Sequence, residues 1–440
     1  MSTGDELLAL GDSALASLKH GEAEVVIADS RSELTRFASN EIHQSVAERY
    51  RHIRVRLIDG GRIGVGEVRG HGDAAIALAF DAAEQSRRVT SASDVSPLPA
   101  GDQNGDGPVA FSASTDSATP QERAELVATI TEAAGAHGVN AYGALSTSTT
   151  TTAIITSSGL RRSATSTQAS LVSVARGDNG GGYASRHSAD IAALDVPGLA
   201  AEVVDTCERN QNATEVGPGD YEVILSPYAV TDLLEHLAWV GFSALALQEH
   251  RSFMRLGEKL MSEKITIRDD ARTHDIFPFP FDDEGVSTKP VTLIDRGVCA
   301  AVVYDTPTAL QDGVASTGHS LPQPNTWGPL PRHVAMDAGD TPWTEMVGSV
   351  SRGLYITRLW YVRDVHPLRT VITGMTREGT FLIENGSITH PVKDLRFTQS
   401  IVEALANVLQ VSRERRLELG EGESGVLSPW LHIGRFSFTS

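Results

Sequence analysis

The sequence predicts an α+β protein in two parts, an N-terminal α/β part over 1–215 and a mostly antiparallel β part with helices over 216–440. Three observations predict it. At 440 residues the chain exceeds the usual reach of one hydrophobic core, so two are expected. Its 40% hydrophobic and 21% charged residues are the balance of an ordinary globular protein. Period-2 runs rich in Val, Ile and Thr are interleaved with amphipathic helices in the first half and with turn-bounded hairpins in the second.

Residues 5–19 form an acidic amphipathic helix rather than an export signal. Strands follow over AEVVIADS, ELTRFASNEIHQSV, HIRVRLIDG and RIGVGEVRG, then a helix over DAAIALAFDAAEQS. The Asp-Gly-Gly-Arg at 59–62 supplies the chemistry of a tight hairpin. The GVG that comes next lacks the third glycine and the βαβ frame of a dinucleotide site. Within this region ERYRHIRVRLIDG is the one basic stretch, and its alternation assigns the arginines to the solvated face of a strand.

Residues 90–120, rich in Ser, Pro, Gly and Asp without a period, form a long exposed connection. Thr119-Pro120 starts the helix QERAELVATITEAAGAHG. Alternating β-branched residues make strands of ALSTSTTTTAIITSSGL and ATSTQASLVSVARG. GDNGGGYAS lacks the Gly-Lys-Ser/Thr step of a phosphate loop and is a strand connection, and LDVPGLAAEVVDTCERN is a helix. After a break at 211–220 the strand YEVILSP opens the second part. There VTLIDRGVCAAVVYD and TFLIENGSITHPV are hairpins, SIVEALANVLQVS is a late helix, and LHIGRFSFTS is the closing strand.

No apolar run approaches the roughly 18 residues of a membrane span. Two cysteines, Cys207 and Cys299, cannot build a disulfide framework or a multi-thiolate zinc site, which fits a reducing, cytoplasmic setting. A formal net charge of -19 disfavours a nucleic-acid partner.

The stretch LLEHLAWVGFSALALQEH, residues 233–250, places two Glu-His pairs in an apolar, helix-like run. His236 and His250 would lie roughly 21 Å apart on a helix, and adjacent Glu and His side chains diverge by about 100°, so neither arrangement chelates a metal. The stripe Leu233, Leu234, Leu237, Val240, Phe242, Leu245 and Leu247 reads as a packing helix. Ser243 and Ser320 lack a nucleophile-elbow context. Asp282, Asp283 and Glu284 offer hard oxygens for a cation, but their spacing suits a turn better.

Several stretches in order, LTRFASNEIHQSV, SFMRLGEKLMSEKITIRDDAR, FDDEGVSTKPVTLIDRGV, STGHS, SRGLYITRL and GTFLIENGSITHPVKDLRF, resemble the TldD/PmbA family, also called the modulator-of-gyrase family. The resemblance implies an N-terminal α/β part and a C-terminal β part with a barrel-like core. It also implies a cytoplasmic assembly that hydrolyses unfolded or leader peptides. One kind of subunit in that family carries a His-Glu-x-x-x-His helix and a late cysteine that hold zinc. The other, the PmbA or TldE type, lacks them and pairs with the first. Here the motif positions fall on Glu235, His236 and Val240, a shift by one residue gives His236, Leu237 and Gly241, and no cysteine follows Cys299. The resemblance therefore implies a metal-free subunit with no catalytic residue of its own and no cofactor in this chain, with zinc expected in a TldD-type partner.

Two other readings stay open. One is a stand-alone peptidase with an unconventional site drawn from His236, His319, His333 or His366; the other is a homodimeric peptide-binding or scaffold protein. Under the subunit reading Tyr355, Arg358, Trp360, Tyr361 and Arg363 are candidates to line a peptide site. Strand alternation puts Arg358 and Trp360 on one face and Tyr355, Tyr361 and Arg363 on the other.

Overall fold

The computed structural model describes residues 3–16, 18–93, 95–101, 107–420 and 425–440. Helix α1 (Thr3–Leu15) precedes a hairpin whose arms are longer than the sequence alone suggests: β1 (Glu22–Ala38) and β2 (Glu41–Asp59). AEVVIADS and ELTRFA are one strand, and the reversal falls within the second predicted strand, at Ser39 and Asn40, both with positive φ. After β3 (Arg62–Arg69) come α2 (Gly72–Val89), the short α3 (Ala113–Asp116) and α4 (Pro120–Ala136), whose Thr119 and Glu122 form a capping box. The Thr-rich stretches become β4 (Asn140–Thr156) and β5 (Arg161–Arg176), and part of the predicted glycine-rich connection is itself β6 (Gly181–Ser188), leading to α5 (Val196–Arg209). These six strands form one antiparallel sheet in the order β3-β2-β1-β4-β5-β6.

Strand β7 (Gly219–Leu225) starts a second sheet, and α6 (Pro227–Gly241) and α7 (Ala244–Gln248) follow it. The expected run over 233–250 is thus two helices with a break at Phe242–Ser243, and α6 begins earlier, at Pro227. The remaining elements are β8 (Ile267–Asp269), β9 (Val291–Asp295), β10 (Val298–Cys299), α8 (Thr306–Asp312), β11 (His333–Met336), α9 (Trp343–Gly348), β12 (Arg352–His366), β13 (Val371–Glu384), β14 (Ser387–Pro391), β15 (Arg396–Ser400), α10 (Ile401–Ala406), β16 (Val408–Leu419) and β17 (Gly425–Phe438). Both predicted hairpins form, the second around Asn385-Gly386 with positive φ at both residues. The late helix is shorter than expected: it ends at Ala406, and VLQVS belongs to β16, whose pairing with β17 outweighs local helix preference. Because β7 pairs with both β12 and β17, the strands β7, β12, β13, β15 and β17 close into a ring, the barrel-like core that the resemblance implies. Leu233, Leu234, Leu237 and Phe242 are fully buried against this ring, and Cys299 is a packed small hydrophobe in the same core.

One expectation about β2 is wrong. Arg51, Arg54 and Arg56 are buried, not solvated. Arg51 meets Asp29 at 2.6 Å and Arg56 meets Glu24 at 2.7 Å, while Arg54 donates to the Gln323 carbonyl of the second sheet's half. Period 2 was right, but carboxylates on neighbouring strands and on the Asp282–Glu284 turn make a buried face tolerable for guanidinium.

Between the halves, Asp269 is fully buried and accepts from His319 Nε2 at 2.8 Å and from the His333 backbone N–H at 2.8 Å. Burial pushes the His333 imidazole down to about 4. A group whose folded value is depressed contributes stability that is full above its unfolded value, about 6.5, and is lost as pH falls toward 4. Urea unfolding of the wild type should therefore lose stability over that interval, and His333→Phe should flatten the slope; an NMR titration of His333 centred near 6.5 would contradict this.

Candidate active-site cavity

A cavity of about 1040 Å³ lies beside α6. Pro227 sets the first turn of α6, and Ser226 ties its start to β12, its N–H bonding the Ile356 carbonyl at 3.0 Å and its hydroxyl the Thr357 carbonyl. One helical face is core. The opposite face, Tyr228, Asp232, Glu235, His236 and Trp239 at spacings of three and four, lines the cavity.

The floor is a polar network centred on the Tyr228 hydroxyl. It donates to Glu202 Oε1 at 3.0 Å and accepts from the Ser185 N–H at 3.2 Å and from Arg416. Glu202 also takes Arg416 at 2.8 Å and Arg186 at 2.8 Å. Burial raises the Glu202 carboxyl, but Arg416 and Arg186 outweigh it and hold the group below its ordinary value. Burial, reinforced by Glu418, pushes the Tyr228 hydroxyl well above the usual phenol range and the Tyr183 hydroxyl up to about 12. Both stay protonated at neutral pH, and the Tyr228 hydroxyl serves as a donor there.

One wall is β12. Arg358 stacks over Tyr183 at 4.1 Å and over Trp360 at 4.8 Å, and Arg377 covers Trp360 at 4.4 Å. Both guanidiniums, and that of Arg176, converge on the buried Glu378 at 3.2, 2.8 and 2.7 Å. Arg363 lies over Tyr361 at 4.4 Å. The simple alternation expected for this strand fails: the pairing with β13 shifts between Ile356 and Arg358 and between Trp360 and Arg363, and Tyr361 takes a positive φ of 52°. As a result Arg358, Trp360, Tyr361 and Arg363 all line the cavity. Tyr355 does not; its ring packs 5.8 Å from Trp343 and its hydroxyl accepts from Trp430 Nε1 at 3.3 Å.

The four candidate histidines do not converge. His236 and His366 line this cavity, whereas His319 and His333 line a second one of about 320 Å³ between the two sheets. His236 Nδ1 is engaged with the Asp232 carbonyl at 2.8 Å. Asp282, Asp283 and Glu284 form a turn: Asp282 accepts from the N–H groups of Glu284, Val286 and Ser320 at 2.8 to 3.0 Å, Asp283 pairs with Arg332 at 3.2 Å, and Glu284 lies 3.8 Å from Arg56. Among the described residues no group of three or more His, Cys, Asp or Glu is placed to hold a metal ion. Glu235, His236 and Val240 do not make a zinc donor set, since Val240 has no ligand atom and Cys299 is packed in the apolar core.

Sequence reasoning missed Tyr183, Tyr228, Asp232, Trp239, Trp327 and Glu418 as lining residues. The helical spacing from Tyr228 to Trp239 could have revealed the α6 face, but nothing local marks Tyr183 or Glu418.

Family models match three successive stretches: PmbA/TldA metallopeptidase domain 1 over residues 23–86, the central domain over 114–210 and the C-terminal domain over 218–440. The chain belongs to the PmbA/TldD metallopeptidase family. The structure of TldE from Thermococcus kodakarensis shares its fold, with a TM-score of 0.88 over 99% of both chains at 21% identity. A metalloprotease of Methanothermobacter thermautotrophicus is 26% identical over 53% of this chain and 52% of its own length. The metalloprotease PmbA homolog of Haemophilus influenzae is 24% identical over 46% of this chain and 43% of its own length. The chain thus spans about half the length of these curated relatives. Among the described residues of this member of the PmbA/TldD family no helix is long and apolar enough to cross a membrane.

Glu378 is the keystone of the β12 wall. Glu378→Gln leaves three guanidiniums around a neutral amide and should cost about 2–4 kcal/mol in urea unfolding, with a shift in tryptophan emission from Trp360. Unchanged stability and emission would show that the wall does not depend on this carboxylate.

Proposed function

We propose that this chain is a metal-free subunit of a two-subunit zinc peptidase, in which its cavity holds an extended, unfolded or leader peptide while a TldD-type partner supplies the zinc. The observation that carries the reading is the coincidence of two features at one place. The α6 face that holds Glu235, His236 and Val240 at the family's zinc positions still borders a large cavity, and that cavity is walled by an aromatic and Arg-rich strand. A peptidase family member whose metal positions have lapsed while its cavity persists fits a role in holding substrate rather than cutting it.

The β12 strand suits an extended ligand. Its pairing with β7 spans only Gly353–Ile356, and among the described residues no strand pairs with that edge from Arg358 onward. An unpaired edge offers main-chain donors and acceptors independent of peptide sequence, and exposed Trp360 and Tyr361 offer flat apolar contact. A cytoplasmic location accords with the reduced, buried Cys207 and Cys299.

The isolated chain should purify without stoichiometric zinc and should not cleave an unstructured peptide. Mixed with a zinc-binding TldD-type relative it should restore cleavage. In that mixture Trp360→Ala or Arg358→Ala should raise KM about tenfold, ~1.4 kcal/mol, with little change in kcat. Cleavage by the isolated chain, with zinc bound, would favour a stand-alone peptidase; self-association with no affinity for peptide or relative would favour a scaffold.

A further inference from the structure

The inner end of the cavity beside α6 is acidic. Asp232 and Glu235 from α6 and Glu418 from β16 border it. The Glu235 carboxylate packs onto Gly420, where a side-chain carbon would come within 2.6 Å of it, so it sits at the end of β16. Burial raises the Tyr183 hydroxyl, and the charges of Glu418 and Asp232 add to the effect, which brings both carboxylates to the same wall. The nearby arginines are engaged elsewhere, Arg416 and Arg186 on Glu202 and Arg358 on Glu378. Among the described residues no lysine lines the cavity.

Glu418 carries the argument. It is only 4% exposed, and its Oε2 accepts from the Ser185 hydroxyl and lies 3.5 Å from His187 Nε2. Its Oε1 is buried with no hydrogen-bond partner, and among the described residues neither Arg nor Lys forms an ion pair with this carboxylate. A buried acceptor left without a donor is costly, more so when it is charged, and a ligand that brings both a donor and a positive charge relieves it. An ammonium group brings three donors and one charge. The mouth of the cavity is apolar instead: Trp239 and Trp327 meet edge to face with ring centres 5.7 Å apart, and both are exposed. We propose that the inner end, centred on Glu418, is a subsite for a protonated primary amine of the bound peptide, its N-terminal ammonium or a lysine side chain, with apolar residues of the peptide lying toward the two tryptophans. This inference rests on the peptide reading above.

Titration of the full chain with unstructured, C-terminally amidated peptides of Gly, Ser and Leu, followed by tryptophan emission, tests it. One peptide has a free N-terminus, one is N-acetylated, and one is N-acetylated with a single Lys. At neutral pH at least one of the two amine-bearing peptides should bind about tenfold more tightly than the acetylated peptide without Lys. Glu418→Gln should remove that difference; should this variant fail to fold, Asp232→Asn provides the second arm and should narrow it. An α-ammonium loses its proton near pH 8 and a lysine at about 10.4, so an advantage lost between about pH 7 and pH 9.5 assigns the subsite to the N-terminus, and one retained assigns it to lysine. Equal binding of all three peptides, or a difference that both variants preserve, overturns the subsite and leaves the peptide reading standing. Failure of every peptide to bind overturns both.

Discussion

The Tyr228 hydroxyl is the point on which the cavity depends. It gathers Glu202 from α5, Ser185 and Arg186 from β6 and Arg416 from β16, so one phenol joins three elements to the first turns of α6. Burying such groups is costly unless each is partnered, and partnered groups accept only one arrangement. Helix α6 is therefore held at a fixed angle to the N-terminal sheet, and its polar face is kept off the core. A helix free to rotate would bury Asp232 and His236 and close the cavity.

A second set of charges fixes the two sheets elsewhere. Glu24 and Arg56 from the first sheet meet Glu284 from the turn before β9, all of them buried. Two carboxylates close together resist joint ionisation, and burial raises Asp282 well above its usual range, with Glu284 adding to it. The segment whose carboxylates offered hard oxygens for a cation, but whose spacing favoured a turn, is that turn, a junction whose oxygens are occupied by backbone N–H groups and arginines. Both clamps use arginine, whose planar fork suits bidentate and stacked contacts that lysine does not make.

Local pattern revealed the elements and their class. The hairpins at Asp59–Arg62 and Asn385-Gly386, the capped helix after Thr119 and the packing stripe of α6 each rest on nearest-neighbour chemistry, and each is present. Failures arose where distant partners decide. The β2 arginines are buried because carboxylates on β1 and on the 282–284 turn await them, and no spacing within β2 encodes that. The residues after Ala406 extend because β17 pairs with them. At the cavity, Arg358, Trp360, Tyr361 and Arg363 were legible as an aromatic and Arg-rich strand, but period 2 divided them, since a bulge and a positive φ at Tyr361 leave no clear mark in sequence. Tyr355 was drawn out of the set by Trp343 and Trp430, one from α9 and one from β17.

The central claim is that the cavity beside a metal-free helix holds an extended peptide along the open edge of β12. Hydrogen–deuterium exchange of the isolated chain, with and without a saturating unstructured peptide, tests it most directly. The account predicts slowed exchange over residues 358–364, where new strand pairing would protect main-chain N–H groups, and no change in β2. Unchanged exchange over 358–364 at saturating peptide would contradict it.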